Sequence, residues 1–251
     1  MDEVHYLADR SRGAVWEEVI IHLPDEVSVI SLSATVSNAE EFGDWLADVR
    51  GEMTVVVSEE RTVPLWQHLM VEGQLLDLFV GDGRSETLTT VNPILQQRIR
   101  ATHRPGGRHT GTKRPSRADT IRALARDALL PAIIFIFSRT GCEGAVEQLI
   151  RSDLRLIDER EGERIRRLVE ERCRDLPPED LGVLGYYDFV DGLTRGFAAH
   201  HAGMVPTFRE IVEELFTAGR LQVVYATETL ALGINMPART VLLERLVKFN
   251  G

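Results

Sequence analysis

The sequence is poor in the residues that would place it outside the cell or in a membrane. Only two cysteines occur, Cys142 and Cys173. They stand too far apart for a CxxC pair, and no second Cys/His pair completes a zinc spacing. A disulfide framework and a structural zinc site are therefore not expected, and both thiols read as reduced structural residues. No apolar run approaches the roughly 20 residues that cross a bilayer, and the N-terminus is acidic where a signal peptide would be basic. A soluble, cytoplasmic protein without membrane partners is the expectation. Another absence bears on chemistry: no G-x-x-x-x-G-K-[ST] phosphate loop occurs in the 251 residues. Gly111-Thr-Lys113 is followed by Arg114 and does not qualify.

What remains is an ordinary globular composition, 43% hydrophobic and 27% charged, long enough for one large or two modest domains. The formal net charge of −10 argues against a protein that coats polyanions indiscriminately. The charge is uneven, however. Between Leu95 and Arg126 lie nine Lys/Arg against the single acid Asp119, which leaves 20 basic against 38 acidic residues elsewhere. Pro105 to Pro115 within this run has the composition of a solvated linker, and the run also suits auxiliary contact with nucleic-acid phosphates.

Apolar patterning alternates between strand and helix. Val27–Leu32 is a β-branched run apolar on both faces, as in a strand buried in a parallel sheet, and Met53–Val57 reads as a further strand. Before them, Val15, Trp16, Val19, Ile20 and Leu23 recur at helical spacing up to Pro24. Between them, Asn38 is placed to cap a helix that buries Phe42, Trp45 and Leu46. Residues 63–80 read as extended pairs. Beyond the basic run the spacing predicts a strand at Ala132–Phe137, a helix from Cys142 to Ile150 and a charged helix from Ile165 to Cys173. A strand at Gly196–His201, a helix from Pro206 to about Gly219, and strands at Leu221–Tyr225 and Thr240–Leu243 complete the pattern. Strand and helix in turn, on both sides of a linker, predict two α/β domains with mostly parallel sheets. Ligands of such sheets sit at the carboxyl ends of the strands.

Chemistry-bearing residues gather at those ends. Asp2 and Glu3 are the types needed for metal-assisted phosphoryl chemistry, although an acidic dipeptide near an N-terminus is more often simply solvated. Ser138 and Arg139 follow one strand, and Thr227 and Thr229 follow another with Gly233 a few residues on; at the latter the hydroxyls and backbone N–H groups of a strand-to-helix junction suit a phosphate grip, or equally a cap and a turn. His200 and His201 are adjacent on a strand and point to opposite faces, so they are poor candidates for sharing one metal ion.

Together these residues resemble the superfamily-two DExH-box helicases of the superkiller type, including the actinobacterial HelY group. Asp2-Glu-Val-His5 is similar to motif II, Leu32-Ser-Ala-Thr-Val-Ser-Asn38 to motif III, and Ile136-Phe-Ser-Arg-Thr-Gly-Cys142 to motif IV. Ala199-His-His-Ala-Gly-Met204 and Ala226 to Arg239 are similar to the family signature before motif V and to motif V itself. The resemblance implies two RecA-like domains, the first cut at its N-terminus and the second at its C-terminus, spanning 1–84 and 119–251 with a basic linker at 85–118.

It also implies ATP and Mg²⁺ as cofactors, with Asp2 on the metal, Glu3 activating water and His5 coupling hydrolysis to strand movement. Ser33, Ala34 and Thr35 would couple nucleotide state to the domain interface. Ser138, Arg139 and Thr227 would hold the nucleic-acid backbone, and Gly233 and Asn235 would face the nucleotide. The implied activity is ATP-driven 3′–5′ translocation on RNA, with RNA-degradation machinery as a possible partner. DNA as substrate, or a binding module without hydrolysis, are the alternatives. The family's phosphate loop and its arginine-bearing motif VI would fall before Asp2 and after Gly251. The 251 residues alone are thus expected to lack ATPase activity.

Overall fold

The computed structural model describes residues 1–4, 7, 13–33, 39–58, 63–80, 90–102, 115–231 and 236–245. They form two compact units, Met1–Leu65 and Trp66–Gly251.

The first unit carries two helices, α1 (Gly13–His22) and α2 (Ala39–Arg50). Pro24 follows α1 as expected, and Ile20 and Leu46 are the buried apolar side chains of the two helices. Arg50 closes the end of α1: its guanidinium donates to the carbonyls of Leu23 at 2.5 Å and of Pro24 and Val27 at 2.8 Å. Pro24 O also accepts from Val27 N–H at 3.0 Å, so the guanidinium holds the turn that follows α1. Phe42 and Trp45 stack at 6.0 Å on the inner side of α2.

The two strands expected in this unit, Val27–Leu32 and Met53–Val57, are not formed: among the described residues of the unit there is no strand. An apolar β-branched run needs a paired neighbour to become a strand. Here the segment around Leu32 finds only a partial one. Val4 N–H donates to Leu32 O at 3.1 Å, Leu32 N–H to Met1 O at 2.9 Å, and the N-terminal ammonium to Ile30 O at 2.6 Å. Ile30 remains 74% exposed and Val56 85%. Patterning assigns these residues to a buried sheet, and the described residues of this unit form none.

The second unit begins with the antiparallel hairpin β1 (His68–Val71) and β2 (Gln74–Asp77), which realises the extended pair read at 63–80. Two helices then lie in the basic stretch, α3 (Pro93–Thr102) and α4 (Arg117–Arg126). Ser116 caps α4, its hydroxyl accepting from the Asp119 amide at 3.1 Å.

From there strand and helix alternate: β3 (Ala132–Phe135), α5 (Arg139–Arg151), α6 (Glu159–Arg172), α7 (Tyr186–Arg195), β4 (Phe197–His200), α8 (Pro206–Thr217), β5 (Val223–Ala226) and β6 (Thr240–Leu243). The four strands form one fully parallel sheet in the order β4-β5-β3-β6. α7 was not anticipated; the other elements of this series were.

Period-two alternation divides the strand residues between two cores. Ile134, Phe197, Val223 and Tyr225 pack on the α4 and α5 side with Ile121, Cys142, Val146 and Leu149. Ile133, Ala198, Val224 and Ala226 pack on the opposite face with Ile165, Leu193, Ile211 and Leu215 from α6, α7 and α8. Both faces are covered, the condition that parallel strands require. α6 approaches α7 so closely that a Cβ at Gly162 would stand 2.5 Å from the Thr194 carbonyl oxygen.

Candidate nucleic-acid interface

The parallel register brings three strand ends to one level. Phe135 of β3 and His200 of β4 both pair with Ala226 of β5. The residues that follow therefore leave the sheet side by side: Ser138 and Arg139 after β3, His201 after β4, Thr227 after β5. Backbone hydrogen bonds continue past the strands, from Ile136 N–H to Ala226 O at 2.8 Å and from Thr227 N–H to His200 O at 3.3 Å.

Ser138 is the N-cap of α5, accepting from the Gly141 amide at 3.2 Å and lying 3.1 Å from the Thr140 hydroxyl. Its side chain is exposed, as is that of Arg139. Thr227 is partly buried and opens the 3-10 turn Glu228–Ala231, its carbonyl accepting from Leu230 N–H at 3.1 Å. An exposed hydroxyl, an exposed guanidinium and the N-terminus of a helix thus share one strand-end surface. Such groups recognise a phosphate chain without reading its bases.

The two histidines diverge. His200 turns to the α8 side, where its Nε2 lies 2.7 Å from Glu213 Oε1. His201 turns to the α5 side, with Nε2 3.2 Å from Glu143 Oε1. That second contact lies within hydrogen-bond reach but is poorly aligned, so it is an electrostatic contact and not a directed bond. Both rings are buried, and each faces a carboxylate from the helix covering its side. Burial pushes the His201 pKa below the usual imidazole value; Arg139 and His200 act the same way, and Glu143 opposes them. The imidazole is neutral at pH 7.

In the first unit the hydrogen bonds between residues 1–4 and 30–32 bring the two amino-terminal motif segments together, with Ser33 next in sequence to the paired Leu32. Asp2 and Glu3 are exposed. The Asp2 carboxylate accepts from the Glu3 amide at 3.0 Å, and Glu3 takes a left-handed backbone, φ 54°, uncommon for a residue with a Cβ. Among the described residues no group of three or more His, Cys, Asp or Glu is arranged to hold a metal ion. Mg²⁺ characteristically takes only one or two protein carboxylates and completes its shell with phosphates and water, and exposed Asp2 fits that partial role. His5, Ala34, Thr35, Gly233 and Asn235 lie outside the described residues.

Sequence reasoning missed the carboxylate partners Glu143 and Glu213. Glu143 had a signal, standing one helical turn after Arg139. Glu213 had none, because its pairing with His200 is tertiary.

Parallel strands with helices on both faces, and cationic and hydroxyl groups at the carboxyl ends, define an open α/β architecture. Comparison with known proteins narrows it. The chain is 56% identical over 269 residues to the probable helicase HelY of Mycobacterium leprae (strain TN), and 57% identical over 264 residues to that of Mycobacterium tuberculosis (strain ATCC 25618 / H37Rv). It is also 36% identical over 261 residues to the human exosome RNA helicase MTR4. All of the chain is covered in each case, with 29% of either HelY and 24% of MTR4. The homologues of this chain are HelY-like helicases and DExH-box RNA helicases, and the chain spans less than a third of their length. No protein-family model matches it. Among the described residues no helix is long and apolar enough to cross a membrane.

Proposed function

We propose that these residues are part of the motor core of an ATP-dependent RNA helicase: two RecA-like domains, 1–84 and 119–251, joined by a basic linker at 85–118. The observation that carries the reading is the convergence of Ser138, Arg139 and Thr227 at neighbouring strand ends of a chain homologous throughout to helicases. In this reading Ser138 and Thr227 orient the nucleic-acid backbone and Arg139 neutralises a phosphate. The substrate in this reading is RNA, as the name of the human exosome RNA helicase suggests; the 3′–5′ direction, the cytoplasmic setting and the RNA-degrading partners follow from the family resemblance alone. ATP with Mg²⁺ supplies, when bound, the phosphoryl transfer to water that drives movement. Asp2 would hold the metal, Glu3 would take a proton from water and His5 would relay the change. Ser33, Ala34 and Thr35 would transmit it, and Gly233 and Asn235 would line the nucleotide.

The 251 residues contain no phosphate loop. Loss of an arginine finger alone costs about 10³- to 10⁵-fold in comparable enzymes. The isolated polypeptide is therefore expected to bind RNA without RNA-stimulated ATP turnover. Fluorescence anisotropy with labelled single-stranded oligouridylate tests the first half: affinity should fall with salt on a log–log scale. Salt-independent binding, or none, overturns the reading. Tighter binding to the matching deoxy-oligonucleotide moves it to a DNA helicase. Phosphate release tests the second half, and measurable turnover would show the 251 residues to be sufficient.

A second reading, a binding module without hydrolysis, draws on one observation: the strand-end cluster lies in the unit whose parallel sheet is packed on both faces. The two readings separate once the flanking reading frame is known to encode, or not to encode, a phosphate loop.

A further inference from the structure

His201 is 2% exposed and faces α5 at the candidate interface. Its Nε2 faces Glu143, one turn into that helix, and Arg139 at the first turn stands against the same loop. The Ala202–Gly203 corner brings these groups together. A Cβ at Gly203 would lie 3.2 Å from Arg139 Cδ, 3.4 Å from Arg139 Nη1 and 3.3 Å from His201 Nδ1. Gly203 is itself exposed, and a Cβ there would crowd both the Arg139 side chain and the imidazole. Among the described residues Nδ1 of His201 has no hydrogen-bond partner, and no carboxylate pairs with Arg139.

We propose that His201 is a positioning residue for Arg139, and that Gly203 preserves the gap in which the guanidinium lies, so that the charge stays beside Ser138 at the α5 N-terminus. The inference rests on the reading that Ser138, Arg139 and Thr227 bind a nucleic-acid backbone, and adds how the arginine is held there. A flexible arginine loses rotamer freedom when it grips a phosphate. A buried ring on one side and a loop on the other restrict it in advance. Because the ring is uncharged, it supports the guanidinium without repelling it. Glu143 faces the far ring nitrogen and steadies the ring, while remaining exposed enough for solvent to weaken its pull on the arginine.

The test is the salt dependence of oligouridylate binding by the full chain. Arg139→Ala should flatten the log–log slope by about 0.7, the value for one lost phosphate contact on a single strand. His201→Ala and Gly203→Val should each move the slope toward that of Arg139→Ala, and His201→Gln, which restores a donor toward Glu143, should return most of it. Adding Arg139→Ala to either variant should produce no further change, since both act through the same side chain. Circular dichroism confirms folding. If the buried His201→Ala variant unfolds, Gly203→Val at its exposed position carries the test. Wild-type slopes in folded His201→Ala or Gly203→Val, or losses that add to that of Arg139→Ala, overturn the positioning role and leave the binding surface standing. An unchanged slope in Arg139→Ala overturns the surface itself, and the positioning role with it.

Discussion

Arg117, the first residue of α4, and Glu244, the residue after β6, are joined by a two-point ion pair: Nε to Oε1 at 2.6 Å and Nη2 to Oε2 at 2.9 Å. A third donor, Nη1, reaches Gln148 of α5 at 3.0 Å. The pair ties an edge strand to the helix that opens the α/β series, across 127 positions of sequence. Both side chains are about three-quarters buried, so the pair is less screened than a surface bridge. Arg117→Ala should lower stability by about 1.5–3 kcal/mol, the range for hydrogen bonds to charged groups. Arg117→Lys should recover only part of this, because an ammonium cannot make the bidentate contact. Urea unfolding checks both. A midpoint unchanged in Arg117→Ala would mean that β6 is held by the sheet alone.

Ser138 combines two roles that substitutions can separate. As an N-cap its hydroxyl satisfies the Gly141 amide, and Ser138→Ala should cost about 1 kcal/mol. Aspartate caps as well as serine, so Ser138→Asp should keep the stability. It would also place a negative charge beside Arg139, where a polyanion is expected. Urea midpoints should therefore rank the wild type and Ser138→Asp above Ser138→Ala. RNA affinity should instead be weakest in Ser138→Asp. Equal RNA affinity in all three would confine Ser138 to capping.

The elements legible in the sequence are those whose signal is local. Ala132–Phe135 has apolar residues for both sheet faces, and Pro206 opens α8 with Phe208, Ile211, Val212, Leu215 and Phe216 on its buried side. α4 was obscured by the arginines around it, although Ser116 with Asp119 is a cap and Ala118, Ile121 and Leu124 form a stripe. In α7, Tyr186, Phe189, Val190 and Leu193 recur at helical spacing, diluted by Asp188, Asp191 and Gly192. Val27–Leu32 shows the opposite failure. Its pattern describes the environment of a strand in a sheet, but patterning cannot supply the neighbours that a ladder requires. The strand-end cluster was legible because strand ends are; the facing of His201 and Arg139 across Gly203 was not, because it depends on a loop returning to a helix 60 residues earlier in the chain.

Burial lowers the His201 pKa, and this has a definite consequence for acid stability. The folded imidazole resists protonation, whereas the unfolded one titrates near its ordinary value of about 6.5. Below that value the unfolded chain binds the extra proton first, so stability falls as the pH drops toward the folded pKa, with a slope of at most about 1.4 kcal/mol per pH unit for one proton. The groups facing the ring set the balance: Arg139 and His200 oppose its protonation, Glu143 favours it. Urea midpoints measured from pH 7.5 downward should decline more steeply in the wild type than in His201→Gln, which has no proton to gain. Parallel curves would show that His201 does not contribute to acid destabilisation.

The two units should differ in how firmly their backbones are held. In the second, four strands pair throughout and both sheet faces are covered. In the first, the segments around Ile30 and Val56 form no ladder among the described residues, and Val15, Val19, Ile21, Leu32 and Val55 add to the exposed apolar surface. Amide protection follows pairing and burial, so opening should cost far less in the first unit than in the sheet. Hydrogen exchange should show peptides from residues 13–33 and 39–58 exchanging much faster than those spanning 195–231. Exposed apolar runs with unpaired backbone are also templates for association. Raising the protein concentration should therefore protect the first-unit peptides selectively while leaving β3, β4 and β5 unchanged. If residues 13–58 are protected as strongly as the sheet at low concentration, the extended segments have found partners in solution and the exposed apolar surface is covered.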